Sequence, residues 1–598
     1  MIRMRPRPPT TSTASLFTDH PPPTAGGARD RAPCLRNCRR PVKFWTFATF
    51  VDTLRSMKPL PKLTRRDFVH RTALASLALL AARRSGAGEP EARIEILFEE
   101  PIGVISPDLY GHFTEHIGGV IYDGIWVGEK SKVPNYGGIR AALVDHMKRL
   151  KPSVVRWPGG CFADSYNWRD GIGPRQKRPR RTNFWINENF LKKAPDGPAK
   201  YEPNEFGTNE FARFCRLIGA QPYLAANLRS STARDFYEWV EYCNAPAPQT
   251  TLARQRAENG DREPFQVRFW GVGNESWGCG GNFTPEEYAA EFRRFTAWVP
   301  GYGVPLAFIG SGPNGGDLDW TKKFFARLTE RDRNLANLLY GWALHYYCGT
   351  TGKGQAIDFT VDDWYALLSK ATVMEKLITS HWAAMGEVDR RHRVKLVVDE
   401  WGAWHRAGTE VASTHLFGQT STMRDALVAG LTLDIFNRHA DKVAMANVAQ
   451  LINNLHSLFL AHEEKFVATP NFHVFEMYAA HHHGQSLRAV FETPAIEVPG
   501  ASELAGLAGS ASLHEKRLVL TVVNPHATDP RAAEIRVRGA GIKSANGVVL
   551  AAADIHAHNT FAQPAAVIPH PVTGEVHGPA LLHSFAPASV TRLELALE

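Results

Sequence analysis

Three things are scarce in this chain of 598 residues. No uncharged apolar run approaches the ~20 residues a membrane-crossing helix needs, and the best candidate, Thr72 to Ala82, is about half that length. Cysteine is rare, and two of the seven, Cys34 and Cys38, fall in the N-terminal tenth of the chain. The other five (Cys161, Cys215, Cys243, Cys279 and Cys348) are an odd number without paired spacing, which excludes a disulfide-dense scaffold. No HExxH or paired-cysteine pattern appears either, so neither a metal nor another cofactor is expected. Finally, no glycine-rich phosphate loop follows the first apolar strand, which argues against a dinucleotide-binding sheet.

The formal charge of +9 is unevenly placed. Residues 1–91 hold 17 Lys and Arg against 6 Asp and Glu, whereas the rest of the chain holds 52 against 54. The basicity belongs to the leader, and nucleic acid is not an expected partner. Within that leader, residues 1–56 are rich in Pro, Arg, Thr and Gly without periodicity, which reads as disorder or an over-extended start. From Met57, Arg65 and Arg66 precede Phe68, the weakly apolar run and then a Gly/Ala stretch. This pattern, at about 57–91, reads as a twin-arginine export signal and predicts a periplasmic or secreted protein with no membrane contact after processing. A basic amphipathic N-terminal helix is the plainer alternative.

What the chain has in abundance is alternation. Short apolar runs at 103–113, 153–160, 221–228, 267–275, 305–313, 339–347, 394–402 and 443–450 are separated by amphipathic helical stretches. Thr284, Pro285, Glu286 and Glu287 mark one helix start, as N-cap, first helical residue and acidic first turn. Eight strand–helix units in series predict an α/β fold, a closed (β/α)8 TIM barrel spanning 103–485. Beyond residue 486 the texture changes to short alternating segments, predicting a β-sandwich over 486–598 to which residues 92–102 add a strand.

Polar residues at the C-terminal ends of barrel strands face the mouth. Those ends carry His112, Glu115 and His116; Arg156, Gly160 and Cys161; Asn274 and Glu275; His345, Tyr346 and Tyr347; Asp399, Glu400 and Trp401; and Asn447 and Gln450. Glu275 and Glu400, among amides and aromatics, suit glycoside hydrolysis, which needs one protonated and one ionised carboxyl group. Spacing alone leaves open that each instead pairs with an arginine in a barrel-end salt bridge.

Five motifs in order, LYGHFTEHIGGVIYDGIW, RWPGGCFADSYNWRDGIGP, GVGNES, VVDEWGAW and FNRHADKVAMANVAQLINN, resemble glycoside hydrolase family 51 over roughly residues 95 to 480. The resemblance implies a retaining α-L-arabinofuranosidase with a jelly-roll sandwich beside its barrel. It implies Glu275 as acid/base, Glu400 as nucleophile, and Glu115, Asn274 and Gln450 as sugar contacts. Tyr347 is implied as the tyrosine that holds the nucleophile, with Tyr346 one residue away. Much of the family carries Asn after the double glycine of strand two, where this chain has Cys161, a poor replacement for an amide. Asn167 or Asp164 could then take over that contact. The implied substrates are arabinan, arabinoxylan or arabino-oligosaccharides, and the implied assembly is a homo-oligomer, often a hexamer in the family. An endo-β-1,4-glucanase and a catalytically inactive carbohydrate-binding barrel are the alternatives.

Three further signals carry expectations. His481, His482 and His483 read as a solvated helix end rather than a metal tract. RQKRPRR at 175–181 reads as a solvated rim. Cys161, Cys279 and Cys348 all fall past strand ends and could be unrelated buried thiols, a disulfide between two of them, or a thiol–metal cluster.

Overall fold

The computed structural model describes residues 91–185, 200–331, 339–349, 352–500 and 503–598. All of the expected leader except Glu91 lies outside them.

Eight parallel strands close a barrel in chain order: β2 (Gly111–Phe113), β3 (Val154–Trp157), β4 (Gln221–Ala226), β5 (Phe269–Val272), β6 (Ala307–Gly310), β7 (Leu339–Gly349), β8 (Lys395–Trp404) and β9 (Val443–Ala449). These strands are buried on both faces, which is why they read as unbroken apolar runs. One set of side chains, including Val154, Tyr223, Phe269, Ile309, Val397 and Met445, fills the barrel interior. The alternate set, including Val155, Trp157, Leu224, Trp270 and Val398, packs outward under the helices.

The first expected strand, 103–113, splits in two. Ser106 Oγ accepts from the Asp108 amide and Pro107 sits at the start of a 3-10 turn, Pro107–Tyr110, that ends extended pairing. Only Gly111–Phe113 enters the barrel, while β1 (Ala92–Val104) belongs to the second sheet and runs two residues past its expected end. The expected helix start is present in α1 (Pro285–Thr296), where Thr284 and Glu287 form a reciprocal capping box.

The second sheet adds β10 (Gln485–Glu492), β11 (Ala508–His514), β12 (Arg517–Asn524), β13 (Arg531–Arg538), β14 (Ile542–Leu550), β15 (His570–Thr573), β16 (Glu575–His577), β17 (Ala580–Phe585) and β18 (Ser589–Leu597). Its order is β15-β14-β18-β12-β11-β10-β1-β13-β17-β16. Alternate residues turn inward onto a core of their own, with Ile94 and Ile96 meeting Leu520, Ile535 and Leu593. The N-terminal strand is thus integral to the sandwich, pairing antiparallel with β10 and parallel with β13.

Barrel and sandwich meet on helix α2 (Met423–Arg438), whose residues Met423 to Asn437 are all buried. Asp434 accepts from Ser510, Thr521 and Tyr478 at 2.6–2.8 Å, and Asn437 donates to Ser510. His481 lies in the same junction, bonded to Ser512 and Thr521, and burial pushes its pKa down to about 3. The solvated histidine tract expected at 481–483 is therefore corrected for its first member, because the sandwich covers that helix end. The rim expected at 175–181 is exposed at Gln176, Lys177, Arg180 and Arg181, the last paired with Asp170. Arg178 departs from it: it is half-buried and forked onto Glu210, and Arg175 beside it reaches Glu129 and Glu210.

Candidate active site

Strand β5 ends in Val272, and Gly273 at φ 81° turns the chain so that Asn274 and Glu275 stand at the mouth. Glu275 itself has φ 40°, a left-handed conformation that costs a non-glycine residue of order 1–3 kcal/mol. The turn is held by the Gly278 and Gly280 amides, which both donate to the Glu275 carbonyl. A Cβ on Gly280 would lie 1.7 Å from the Asn274 carbonyl oxygen, so only glycine fits there.

Glu400, on β8, is held from three sides. Arg156 Nη1 donates to Oε1 at 2.8 Å, Tyr347 Oη donates to Oε2 at 2.8 Å, and His345 Nδ1 lies 3.5 Å from Oε2. Burial alone would raise its pKa, but His345, Arg156 and the tyrosine hydroxyl outweigh that and hold it below the usual carboxylate range. A Cβ on Gly160 would stand 2.8 Å from Glu400 Oε1, so the double glycine keeps the space beside the carboxylate open. Tyr346, the neighbour that sequence could not separate from Tyr347, points elsewhere and donates to the Lys370 carbonyl.

His345 joins the two carboxylates. The same Nδ1 lies 3.1 Å from Glu275 Oε1, and the ligating atoms of Glu275, His345 and Glu400 all fall within 4.8 Å of one another. Burial opposes a charge on this imidazole, yet Glu400 and Glu275 together raise its pKa. Arg156 extends the network by donating Nη2 to Asn274 Oδ1 at 2.6 Å. Beneath it, Asp399 accepts from Tyr223 and Asn447.

Glu115 closes the other side. Its oxygens accept from the Phe162 amide at 3.0 Å and from Gln450 Nε2 at 3.1 Å. Burial and the nearby Glu400 push its pKa up to about 8. Gln450 Oε1 is buried without a partner, an acceptor free for a hydroxyl.

Glu115, Asn274, Glu275, Tyr347, Glu400 and Gln450 are therefore gathered at one mouth, linked by Arg156 and His345. Cys161 is there too, but bonded to Cys279 as a disulfide, while Cys215, Cys243 and Cys348 are buried and free. The two groups that could replace the missing amide have other partners here. Asn167 caps a 3-10 turn, and Asp164 spends its oxygens on the Leu228, Arg229 and Asn274 amides. His112 is wholly buried, with its pKa pushed down to about 3. His116 packs behind the mouth between Glu202 and Trp157. Asp164 as the anchor of the Asn274 amide is not readable from sequence, because that contact joins loops 110 residues apart.

The chain matches the family description "Alpha-L-arabinofuranosidase 1 domain" over residues 146–313 and "Alpha-L-arabinofuranosidase C-terminal domain" over residues 399–589. An intracellular exo-α-L-arabinofuranosidase of Bacteroides ovatus is 35% identical over 83% of this chain and 94% of its own length. An intracellular exo-α-(1→5)-L-arabinofuranosidase of Streptomyces lividans is 28% identical over 79% and 70%. Among solved structures, the family 51 arabinofuranosidase of Xanthomonas axonopodis pv. citri superposes with a TM-score of 0.79 at 35% identity, covering 85% of this chain and all of that one.

These relatives also correct the expected export. The proteins from B. ovatus, S. lividans and Bifidobacterium longum are all named intracellular, which overturns the periplasmic or secreted expectation built on Arg65 and Arg66. No helix among the described residues is long and apolar enough to cross a membrane. Site, fold and relatives agree that the chain belongs to glycoside hydrolase family 51, as an α-L-arabinofuranosidase.

Proposed function

We propose that this enzyme releases terminal non-reducing α-L-arabinofuranosyl residues from arabinan, arabinoxylan or arabino-oligosaccharides, with retention of anomeric configuration. The observation that carries the reading is that His345 Nδ1 reaches both carboxyl groups, 3.1 Å from Glu275 and 3.5 Å from Glu400, with the nearest oxygens of the two within 4.8 Å, which supports the closer of two spacings. Retaining enzymes keep their carboxyl groups about 5–5.5 Å apart, whereas inverting ones leave roughly 6.5–9.5 Å for a water.

The two environments support two roles. Glu400 is the more enclosed, 7% exposed against 22% for Glu275, and its charge is held by Arg156, His345 and Tyr347. That suits a nucleophile attacking the anomeric carbon while the glycosidic C–O bond breaks. Glu275, at the more open edge, gives its proton to the departing oxygen. It then takes one from the water that displaces Glu400 from the glycosyl ester. Arg156 orients Asn274 toward the sugar, and Glu115 with Gln450 supplies hydroxyl contacts. The relatives named exo-acting on α-(1→5) linkages support arabino-oligosaccharides as substrates.

The test compares Glu275→Gln on two substrates, an aryl arabinofuranoside with a good leaving group and an arabino-oligosaccharide. Loss of the acid slows the oligosaccharide by about 10²–10⁴-fold. Glycosylation from the activated aryl substrate, read as the burst of released phenol, is far less affected. Equal small effects on both would remove Glu275 from the acid/base role. Turnover of a β-1,4-glucan in place of the arabinoside would instead support an endo-glucanase.

A further inference from the structure

The mechanism leaves one feature of the mouth unused. The Cys161–Cys279 bridge joins the loop after β3 to the turn after β5, across the end of β4. Its sulfurs lie 3.9 Å (Cys161) and 3.6 Å (Cys279) from Glu275 Oε2, and Cys279 Sγ lies 3.8 Å from Asn274 Nδ2. Glu275 Oε1 is taken by His345, so the bridge faces the other oxygen of the same carboxyl group. A disulfide sulfur carries no hydrogen and cannot donate to that oxygen. Two thiols in the same place could, through S–H donors that favour the ionised carboxylate.

Both cysteines of the pair are only partly buried, whereas Cys215, Cys243 and Cys348 are buried. A dissolved reductant therefore has access to the bridge, and accessible bridges are more readily reduced than sealed ones. Three relatives are named intracellular, and a cytosolic environment favours thiols over disulfides.

We propose that Cys161 and Cys279 are redox-responsive positioning residues for Glu275, fixing its turn when bridged and resetting its proton affinity when opened. The inference rests on the acid/base reading of Glu275. Opening needs a dithiol: one thiolate attacks a bridge sulfur, the S–S bond breaks, and the second thiol displaces the mixed disulfide. The protein gains two electrons and two protons as two thiols, and the reductant leaves as its own disulfide. The titratable groups beside Glu275 are His345, Glu400 and Tyr347, with Arg156 and Glu115 beyond them around Glu400, and Asp164 holds the neighbouring Asn274 amide. None of these is a thiol, so the two states differ at the bridge alone.

The experiment uses the full-length enzyme, equilibrated with oxidised or reduced dithiothreitol, and follows kcat/KM against pH for an arabino-oligosaccharide, whose leaving group needs the Glu275 proton. Alkylation and peptide mapping read the state of Cys161 and Cys279. In the opened form the alkaline limb moves to lower pH by about half a unit, a roughly threefold loss of kcat/KM on that side, and reoxidation restores it. Cys161→Ala/Cys279→Ala makes the profile indifferent to dithiothreitol. The proposal is overturned if mapping finds the pair opened while the two profiles superimpose. It is overturned equally if the pair stays as thiols under oxidising conditions. Should Glu275→Gln keep full turnover of the oligosaccharide, the acid/base reading fails instead, and a dithiothreitol-dependent shift would belong to another group.

Discussion

At the scale of single residues, the site works by dividing one imidazole between two carboxylates. His345 Nδ1 stands 3.1 Å from Glu275 and 3.5 Å from Glu400, and it is first among the groups that lower the Glu400 pKa. Removing it takes away a charge that favours ionised Glu400, so the Glu400 pKa must rise. His345→Ala is therefore expected to move the acidic limb of the kcat/KM profile to higher pH, with a fall in kcat. Unchanged limbs with a reduced kcat would mean that His345 only packs. The tyrosine pair makes a related point about legibility. Tyr346 and Tyr347 are equivalent in composition, but successive residues of a strand face opposite sides, so one reaches Glu400 and the other reaches Lys370. Sequence located the strand end, and only the register in space chose the residue.

At the scale of elements, helix α2 links barrel and sandwich through a carboxyl group whose charge is unwelcome. Burial raises the Asp434 pKa to about 7 despite the hydroxyl donors of Ser510, Thr521 and Tyr478. Between the unfolded value of about 3.9 and about 7, the folded protein binds the extra proton, so stability falls as pH rises through that window. Glu115, raised to about 8, and Asp164, raised to about 7, act in the same direction. Asp123 is the opposite case. The bonds from His415, His462 and the Glu463 amide outweigh its burial and lower its pKa to about 2. Its contribution is complete above about 3.9 and is lost as pH falls through about 2. Urea midpoints measured against pH should thus peak in mild acid, and Asp434→Asn should flatten the alkaline descent. A descent unaltered by that substitution would show that the α2 junction does not bear the proton. These elements were legible unevenly. The barrel strands announced themselves because burial on both faces leaves unbroken apolar runs. The His481 environment and the Arg178–Glu210 fork did not, because each depends on a partner distant in sequence.

At the scale of the whole molecule, closing the sheet brings Glu115, Arg156, Glu275, His345 and Glu400, from five different strands, to one mouth. Each of these was readable as a polar group at the end of an apolar strand, and the closed barrel turned a scattered set into a network. What the sequence could not supply was the pairing of Cys161 with Cys279, since three candidate cysteines at three strand ends allow more than one partner. It also could not supply the nearness of the two glutamates, which supports the proposed retention. The stereochemical course is directly measurable. Proton NMR during hydrolysis of an aryl α-L-arabinofuranoside, read before mutarotation, reports the anomer first released. Two displacements through Glu400 release α-L-arabinofuranose first. First release of the β-anomer would mean a single displacement by water and would rule out Glu400 as the nucleophile.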